Sequence, residues 1–196
     1  MLGNLFAKKK PAASVLVIAR LNDRAQPILR GELYEDPLDA ILRKKELGEV
    51  TGGGTQLGKD YEIEYCDIEI LLHDLSDESL EALKSSLEEL GAPKGSKLIL
   101  ESSGQEMPFG VNEGLAVYLN GTDLPEEVYR ECDFDTVYQE FNRLLGSEGT
   151  IHGDWQGPTE TALYMYGRSF EVMKNCLKSF LNSYPLCQKA RVVQIA

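Results

Sequence analysis

The chain has 196 residues, of which 42% are hydrophobic and 27% are charged, a balance typical of a folded globular protein rather than a disordered one. The 32 acidic and 20 basic residues give a formal net charge of −12, and such a field repels a phosphate backbone. We therefore expect no nucleic-acid partner, whereas a basic protein would be attracted. Acidity also aids solubility without any partner, and that interpretation stays open at this point.

Membrane and export signals are not recognisable in the sequence. No run of about 18 apolar residues occurs, so no transmembrane helix and no membrane partner are expected. Apolar residues precede Lys8, Lys9 and Lys10, which reverses the order of a secretory signal, and residues 1–13 are predicted to form a flexible N-terminus. The four cysteines lack a CxxC pair and are typical of reduced thiols, so a cytoplasmic location is predicted.

The first part of the chain alternates between strand and helix patterns. Runs of β-branched and apolar residues predict strands, and capping residues followed by leucines at helical spacing predict helices. In chain order the pattern predicts a strand at 14–20, a loop through Asn22, Asp23, Pro27 and Gly31, a helix from Asp36 to Gly48, strands at 49–57 and 61–72, a helix from Ser76 to Gly91, and a strand at 97–101. In the strand at 61–72 the alternation of apolar residues shifts by one position between Tyr65 and Ile68, which predicts a bulge near Cys66 or Asp67.

Residues 102–112 contain Gly104, Pro108 and Gly110, and they are predicted to be a linker between two domains. The same order of elements recurs after it. The predicted elements are a strand at 114–120, a helix at 133–145, a weak strand at 148–155, a strand at 159–166, a helix at 170–181 and a strand at 191–195.

Direct alignment of the two parts supports an internal repeat. Leu83-Lys84-Ser85 matches Leu177-Lys178-Ser179, and the same offset aligns 70–72 with 164–166. An order of β-α-β-β-α-β with right-handed crossovers produces an antiparallel sheet with both helices on one face. We therefore predict an α+β protein of two tandem ferredoxin-like units, at 14–101 and 113–196.

Three consecutive glycines, Gly52–Gly54, are the most conspicuous motif. A phosphate-binding loop places its glycines between a strand and the start of a helix, whereas these follow a helix and enter a strand. Two interpretations stay open: a bulge or close backbone contact within the fold, and a strip where the backbone of a partner approaches.

Four carboxylates alternate along the strand predicted at 61–72. Metal binding or acid–base catalysis needs groups that converge in a shielded cleft, and carboxylates spaced along a strand form a stripe instead. The stripe is interpreted either as a solvated face or as a docking face for a basic protein. Its residues are Glu62, Glu64, Asp67 and Glu69.

An aromatic set in the second unit is the other candidate for partner binding. Such side chains are either core or interface anchors, and the basic neighbours that an RNA-binding sheet needs are sparse here. These residues are Tyr118, Tyr164, Tyr166 and Trp155.

The chain has two histidines and no HxH, HExxH or Cys/His cluster, so no metal, no cofactor and no catalytic residue are predicted. A ligand pocket between the units is the alternative site. Its candidate lining residues are Thr55, His73, His152 and Asp154, with Trp155 beside them.

These observations support two hypotheses. The first is a non-catalytic, acidic protein-binding module, for example an immunity or inhibitor protein that masks a cationic toxin or nuclease. The alternative is a small-molecule-binding protein or an enzyme with its site between the two units. A free sheet edge in either unit also makes a dimer conceivable.

Overall fold

The computed structural model describes residues 14–196, and the flexible N-terminus predicted at 1–13 lies outside the described residues. The first unit is a five-stranded antiparallel sheet in the order β2-β3-β1-β4-β5. Its elements are β1 (Val15–Leu21), α1 (Pro27–Arg30), a π-helical stretch (Gly31–Glu35), α2 (Asp36–Lys44), β2 (Gly48–Leu57), a 3₁₀ turn (Lys59–Tyr61), β3 (Ile63–Leu72), α3 (Asp77–Glu89), β4 (Ser96–Leu100) and β5 (Gln105–Phe109).

The second unit is a four-stranded antiparallel sheet in the order β7-β8-β6-β9. Its elements are β6 (Glu113–Asn120), α4 (Glu126–Glu131), α5 (Phe134–Leu145), β7 (Thr150–Gln156), β8 (Glu160–Gly167), α6 (Phe170–Ser183), a 3₁₀ turn (Pro185–Cys187) and β9 (Arg191–Gln194). This order repeats that of the first four strands of the other sheet. The chain is therefore an α+β protein of two tandem ferredoxin-like units, as predicted.

Each unit has its own core between one face of its sheet and its helices. In the first unit, alternate residues of β3 such as Ile68 and Ile70 meet Leu83 and Leu87 of α3, because a strand exposes every second side chain to one face. Side-chain oxygens of Ser76, Asp133 and Ser169 accept hydrogen bonds from the first turns of α3, α5 and α6. Local capping and apolar spacing thus place α3, α5 and α6 where the sequence predicts helices.

Three segments differ from their predicted structure: 105–109, the stretch from Pro27, and α4 (Glu126–Glu131), for which no helix is predicted. The predicted linker contains β5, which pairs with β4 along Leu98 and Met107. Pro108 fits there because β5 is an edge strand, where a missing backbone N–H costs no ladder bond. The predicted loop becomes helical from Pro27 onwards, since proline suits the first helical position and the buried Tyr34 anchors the segment.

The predicted bulge lies elsewhere in the sheet. Pairing of β1 with β3 is continuous from Cys66 to Leu72, and the irregularities lie between β2 and β3, at Val50/Gly52 and at Gln56/Leu57. The side chains of Cys66 and Ile68 both face the core, as alternate residues of a regular strand do. The change in the alternation therefore lies before Cys66.

None of the helices within residues 14–196 is long and apolar enough to cross a membrane. The four cysteines are all unpaired.

Candidate functional site

The face of the second sheet that its own helices do not cover packs against the first unit. Ala116, Tyr118, Ala162, Tyr164 and Tyr166 point to this face and form a cluster separate from the core beneath the helices. The chain that follows β1, at 22–26, lies across it. The three tyrosines therefore anchor an internal interface, which corrects the expectation that they present an exposed surface to a partner.

Arg24 and Glu62 are the polar centre of this interface. The backbone N–H of Arg24 donates to the Tyr166 hydroxyl over 2.9 Å, and its guanidinium donates to the Tyr118 hydroxyl over 2.7 Å and pairs with Glu62. The carboxylate of Glu62 accepts from the hydroxyls of Tyr118 and Tyr164 over 2.7 and 2.8 Å. Burial, together with the Glu62 bond, raises the pKa of both tyrosines. Glu62 thus joins the two units and is not part of a surface stripe.

A second buried group surrounds Asp23, whose side chain is fully buried. Its Oδ2 accepts a 2.6 Å hydrogen bond from the Tyr34 hydroxyl and lies 2.8 Å from Nδ1 of His152, while Oδ1 has no hydrogen-bond partner. The His152 ring lies 4.7 Å from the Tyr166 ring. Burial, with the Asp23 carboxylate adding to it, raises the pKa of Tyr34 and of Tyr166.

The two units also form the walls of a surface cleft of about 510 Å³, which we term the junction cleft. It is lined by Gln26, Pro27, Thr55, Leu57, Tyr61, Ile63, Asp154, Trp155 and Gln156. Three of the residues predicted from the sequence, Thr55, Asp154 and Trp155, are brought together here.

The two histidines do not line the junction cleft. His152 lies beside a smaller adjoining cleft of about 270 Å³, lined by Gln26, Ile28, Leu29, Glu32, Tyr138, Ile151, His152, Gly153 and Asp154. His73 follows β3 in the first unit, where its Nδ1 lies 2.9 Å from the Glu46 carbonyl in a separate groove. The structure therefore separates His73 from the other predicted pocket residues.

The aromatic wall of the junction cleft is held by specific backbone contacts. Trp155 donates from Nε1 to the carbonyl of Asp60 over 2.9 Å, and its ring lies so close over Gly157 that a Cβ there would be 2.0 Å away. Asp60 and Tyr61 have φ values of 54° and 62°, a left-handed conformation that side chains with a Cβ adopt only at a cost. The Tyr61 side chain is presented to solvent at this turn, 82% exposed.

The remaining carboxylates of β3 differ in their surroundings. Asp67 forms a bidentate pair with Arg20, with both N–O distances 2.9 Å, whereas Glu64 and Glu69 are exposed. Together with Glu62 at the unit interface, these positions show that the predicted stripe is not one continuous acidic face.

The triple glycine permits a close contact within the fold. A Cβ on Gly53 would lie 2.5 Å from a carboxylate oxygen of Glu35, which pairs with Arg30. The Arg30 guanidinium in turn donates to the Gly54 carbonyl and the Thr55 hydroxyl over 3.0 and 2.7 Å. The close-contact interpretation of this motif therefore has a physical basis at Gly53.

Sequence reasoning missed the exposed hydrophobic residues of these clefts. Ile28, Leu57 and Tyr61 were not singled out because a single apolar residue in a predicted loop or at a strand end has no periodic pattern. The only available signal was the Lys59-Asp60 turn, which places Tyr61 at a tight corner.

The described residues contain no group of three or more His, Cys, Asp or Glu side chains placed to hold a metal ion. No protein-family model and no curated protein matches the chain. Among solved structures, the first two RRM domains of yeast poly(U) binding protein align at 15% identity over 93% of this chain and 99% of that chain, with a TM-score of 0.26. The regulatory subunit of aspartate kinase from Thermus flavus aligns at 15% identity over 85% of this chain and 90% of that chain, with a TM-score of 0.27. Similarities this distant assign no activity, and the class is defined by the topology of the two ferredoxin-like units.

Proposed function

We propose that this chain is a non-catalytic protein-binding module whose contact surface is the junction cleft and the smaller cleft beside it. One observation carries the proposal. Five large hydrophobic side chains are exposed within residues 14–196, and four of them line these two clefts. The four are Ile28, Leu57, Tyr61 and Tyr138.

Exposed apolar side chains that cluster are typical of interaction sites, because covering them releases ordered water and aromatic rings lose little rotamer entropy on binding. The two clefts adjoin, since both are lined by Gln26 and Asp154. Both units contribute: Ile28 and Tyr61 belong to the first, Tyr138 to the second. Such a surface exists only when the units are packed together.

A basic protein fits the electrostatics of this chain. The net charge of −12 steers a cationic partner towards it, and the carboxylates of Glu32 and Asp154 line the clefts. In its concrete form the proposal is an immunity or inhibitor protein that masks a cationic toxin or nuclease. We place it in the cytoplasm, in keeping with four unpaired cysteines. A dimer through a free sheet edge stays a prediction.

Affinity capture from the native host tests the proposal with three baits. The wild-type chain and Val172→Ser, whose exposed side chain lies on α6 away from both clefts, are expected to retain the same basic protein. The double variant Ile28→Ser/Tyr61→Ser is expected to bind that protein at least about 30-fold more weakly, the loss typical of a central anchor. Absence of any captured protein, or equal binding by all three baits, would overturn the proposal.

A small-molecule or enzymatic site at His152 is the second candidate. It is favoured by the pairing of Nδ1 with the buried Asp23, because a carboxylate in this position orients the ring and leaves Nε2 for a ligand. Nitrogen NMR of the two histidines tests it during screening of metabolite mixtures. A genuine ligand shifts the Nε2 resonance of His152 and leaves His73 unchanged, whereas a screen in which neither or both respond would reject this candidate.

A further inference from the structure

A groove of about 640 Å³ lies between α6 and the edge strand β9 of the second unit, and we term it the edge groove. One wall is a single face of α6, and the other is the segment 187–190 together with Val192 of β9. The residues that α6 contributes have the spacing of one helix face, and they are Glu171, Lys174, Asn175, Lys178, Leu181 and Asn182.

The groove is open because α6 does not cover the whole sheet. The helix packs over the inner strands β6 and β8, whereas β9 is the outermost strand and pairs with β6 on one side. Val192 faces the helix side of the sheet, since its cross-strand partner Val117 belongs to the core beneath the helices. Its half-buried side chain therefore lies on the same side as α6 and forms an apolar floor for the groove.

The open edge of β9 presents main-chain hydrogen-bonding groups. The Ile195 N–H donates to the Gly114 carbonyl over 2.9 Å, so Ile195 directs its N–H towards β6. In an antiparallel ladder successive residues alternate in this direction, so Val193 also faces β6, whereas Val192 directs its N–H and C=O away from it. An edge of this kind can pair with an extended peptide, which adds to the sheet as a further strand.

The edge groove is basic although the chain is acidic. The net charge of the chain is −12, yet three lysines and one glutamate line the groove. Lys174 and Lys178 are exposed and four residues apart on α6, and such like charges repel each other. Within residues 14–196 Lys178 forms no ion pair, and Lys174 has a long one of 3.7 Å to the exposed Glu171. The third ammonium, of Lys189, is donated to the Asp123 carbonyl, so the charges that await an anion are those of α6.

We propose that the edge groove binds an acidic, extended segment of a partner protein, which adds to β9 as a fifth strand and pairs its carboxylates with Lys174 and Lys178. The spacing fits, because four residues of a helix rise about 6 Å, and side chains two residues apart on a strand are about 7 Å apart on one face. The inference goes beyond the proposed function, since this groove belongs to the second unit alone and binds a partner of the opposite charge.

The test measures the fluorescence anisotropy of three fluorescein-labelled peptides during titration with the purified full chain. The peptides are Gly-Glu-Val-Glu-Val-Gly, its neutral analogue Gly-Gln-Val-Gln-Val-Gly, and Gly-Glu-Glu-Val-Val-Gly. The first is expected to bind at least about tenfold more tightly than the second, which lacks both charges. It is also expected to bind more tightly than the third, because adjacent glutamates point to opposite faces of a strand.

Lys174→Gln/Lys178→Gln is expected to weaken binding of the alternating peptide about tenfold, the loss typical of two partly exposed ion pairs. Lys44→Gln/Lys59→Gln removes two exposed lysines of the first unit and is expected to bind as the wild type does. Circular dichroism checks that each variant folds.

Amide hydrogen exchange distinguishes strand addition from simple attraction between charges. At saturating peptide the Val192 N–H is expected to exchange at least about tenfold more slowly, because it gains an acceptor on the added strand. The Val193 N–H, which already faces β6, is expected to change little.

Equal affinities for the three peptides, or equal affinities of the wild type and Lys174→Gln/Lys178→Gln, would overturn the inference. Unchanged exchange at Val192 would also overturn it and would leave a site for a small anion. Sedimentation of the chain alone gives a further check: a dimer that Lys174→Gln/Lys178→Gln dissociates would assign the groove to a second copy instead of a partner.

The two proposals fail separately. Ile28→Ser/Tyr61→Ser alters the first unit and is expected to bind the acidic peptide as the wild type does. Loss of protein capture by that variant therefore tests the two clefts, whereas peptide binding by Lys174→Gln/Lys178→Gln tests the edge groove.

Discussion

Single side chains in this protein are held in place by a few specific contacts each. The indole N–H of Trp155 donates to the Asp60 carbonyl. The ring packs over the backbone of Gly157, where there is no room for a Cβ. The fully buried Asp23 depends similarly on Tyr34 and His152, which supply its two contacts at Oδ2. A buried carboxylate without such donors would be costly, so these residues hold each other in place.

Gly157→Ala is expected to displace the Trp155 ring, because the new Cβ would overlap it at 2.0 Å. The emission maximum of Trp155 should move to longer wavelength as the indole loses its packed position. Gly54→Ala is the control, since a Cβ there would meet no atom within 4 Å. Equal spectra for the two variants would contradict the expectation.

At the scale of elements, the start of α3 is stabilised by a local network. Ser76 caps the helix, and Asp74 accepts hydrogen bonds from the Ser76 hydroxyl, the Ser76 backbone N–H and the Ser79 hydroxyl over 2.6 to 2.9 Å. These donors, the Ser76 hydroxyl first, lower the pKa of Asp74 to about 2. The network is local in sequence, which is why the capping residues at 76–79 could be predicted.

The stability contributed by Asp74 is expected to depend on pH. A folded-state pKa below the unfolded value of 3.8 favours the folded state above pH 3.8, and this contribution is lost as the pH falls towards about 2. The difference in unfolding free energy between the wild type and Asp74→Ala should therefore be constant near neutral pH and narrow between about pH 4 and pH 2. Urea unfolding across this range measures it, and a difference independent of pH would contradict the assignment.

At the scale of the whole molecule, the two units are joined by polar contacts buried among tyrosines. Such an interface is specific, because each donor needs its own acceptor when water is excluded. It also creates the two clefts, to which the units contribute different residues: Leu57 and Tyr61 from the first, Asp154 and Trp155 from the second. The two units are alike in topology and unlike in what they supply to the site.

Glu62→Gln is expected to weaken the contact between the units, because the charged acceptor shared by Arg24, Tyr118 and Tyr164 is lost. We expect a loss of about 1–3 kcal/mol in the free energy of unfolding, measured in urea at neutral pH. Glu64→Gln, an exposed position two residues further on, is the control and should be close to neutral. Similar losses in both variants would show that Glu62 does not hold the units together.

Features that depend on contacts between residues close in sequence could be predicted, whereas features that depend on contacts between distant residues could not. Helix caps, apolar spacing and strand alternation act within a few residues, so the two ferredoxin-like units could be predicted from the sequence. β5 was missed because Gly104, Pro108 and Gly110 favour a linker locally, whereas pairing with β4 makes 105–109 an edge strand. The helical start at Pro27 was missed for a similar reason, since proline punctuates loops and helix starts alike.

The site was predictable only in part. Thr55, Asp154 and Trp155 line one cleft between the units, and the role of that cleft as a ligand site stays a prediction. Tyr118, Tyr164 and Tyr166 alternate along strands in the same way whether their face meets solvent or another unit, so the sequence could not show that they are buried. Local patterns thus determined the two units, and only their packing decided which faces were covered and which hydrophobic residues, Tyr61 above all, stayed exposed.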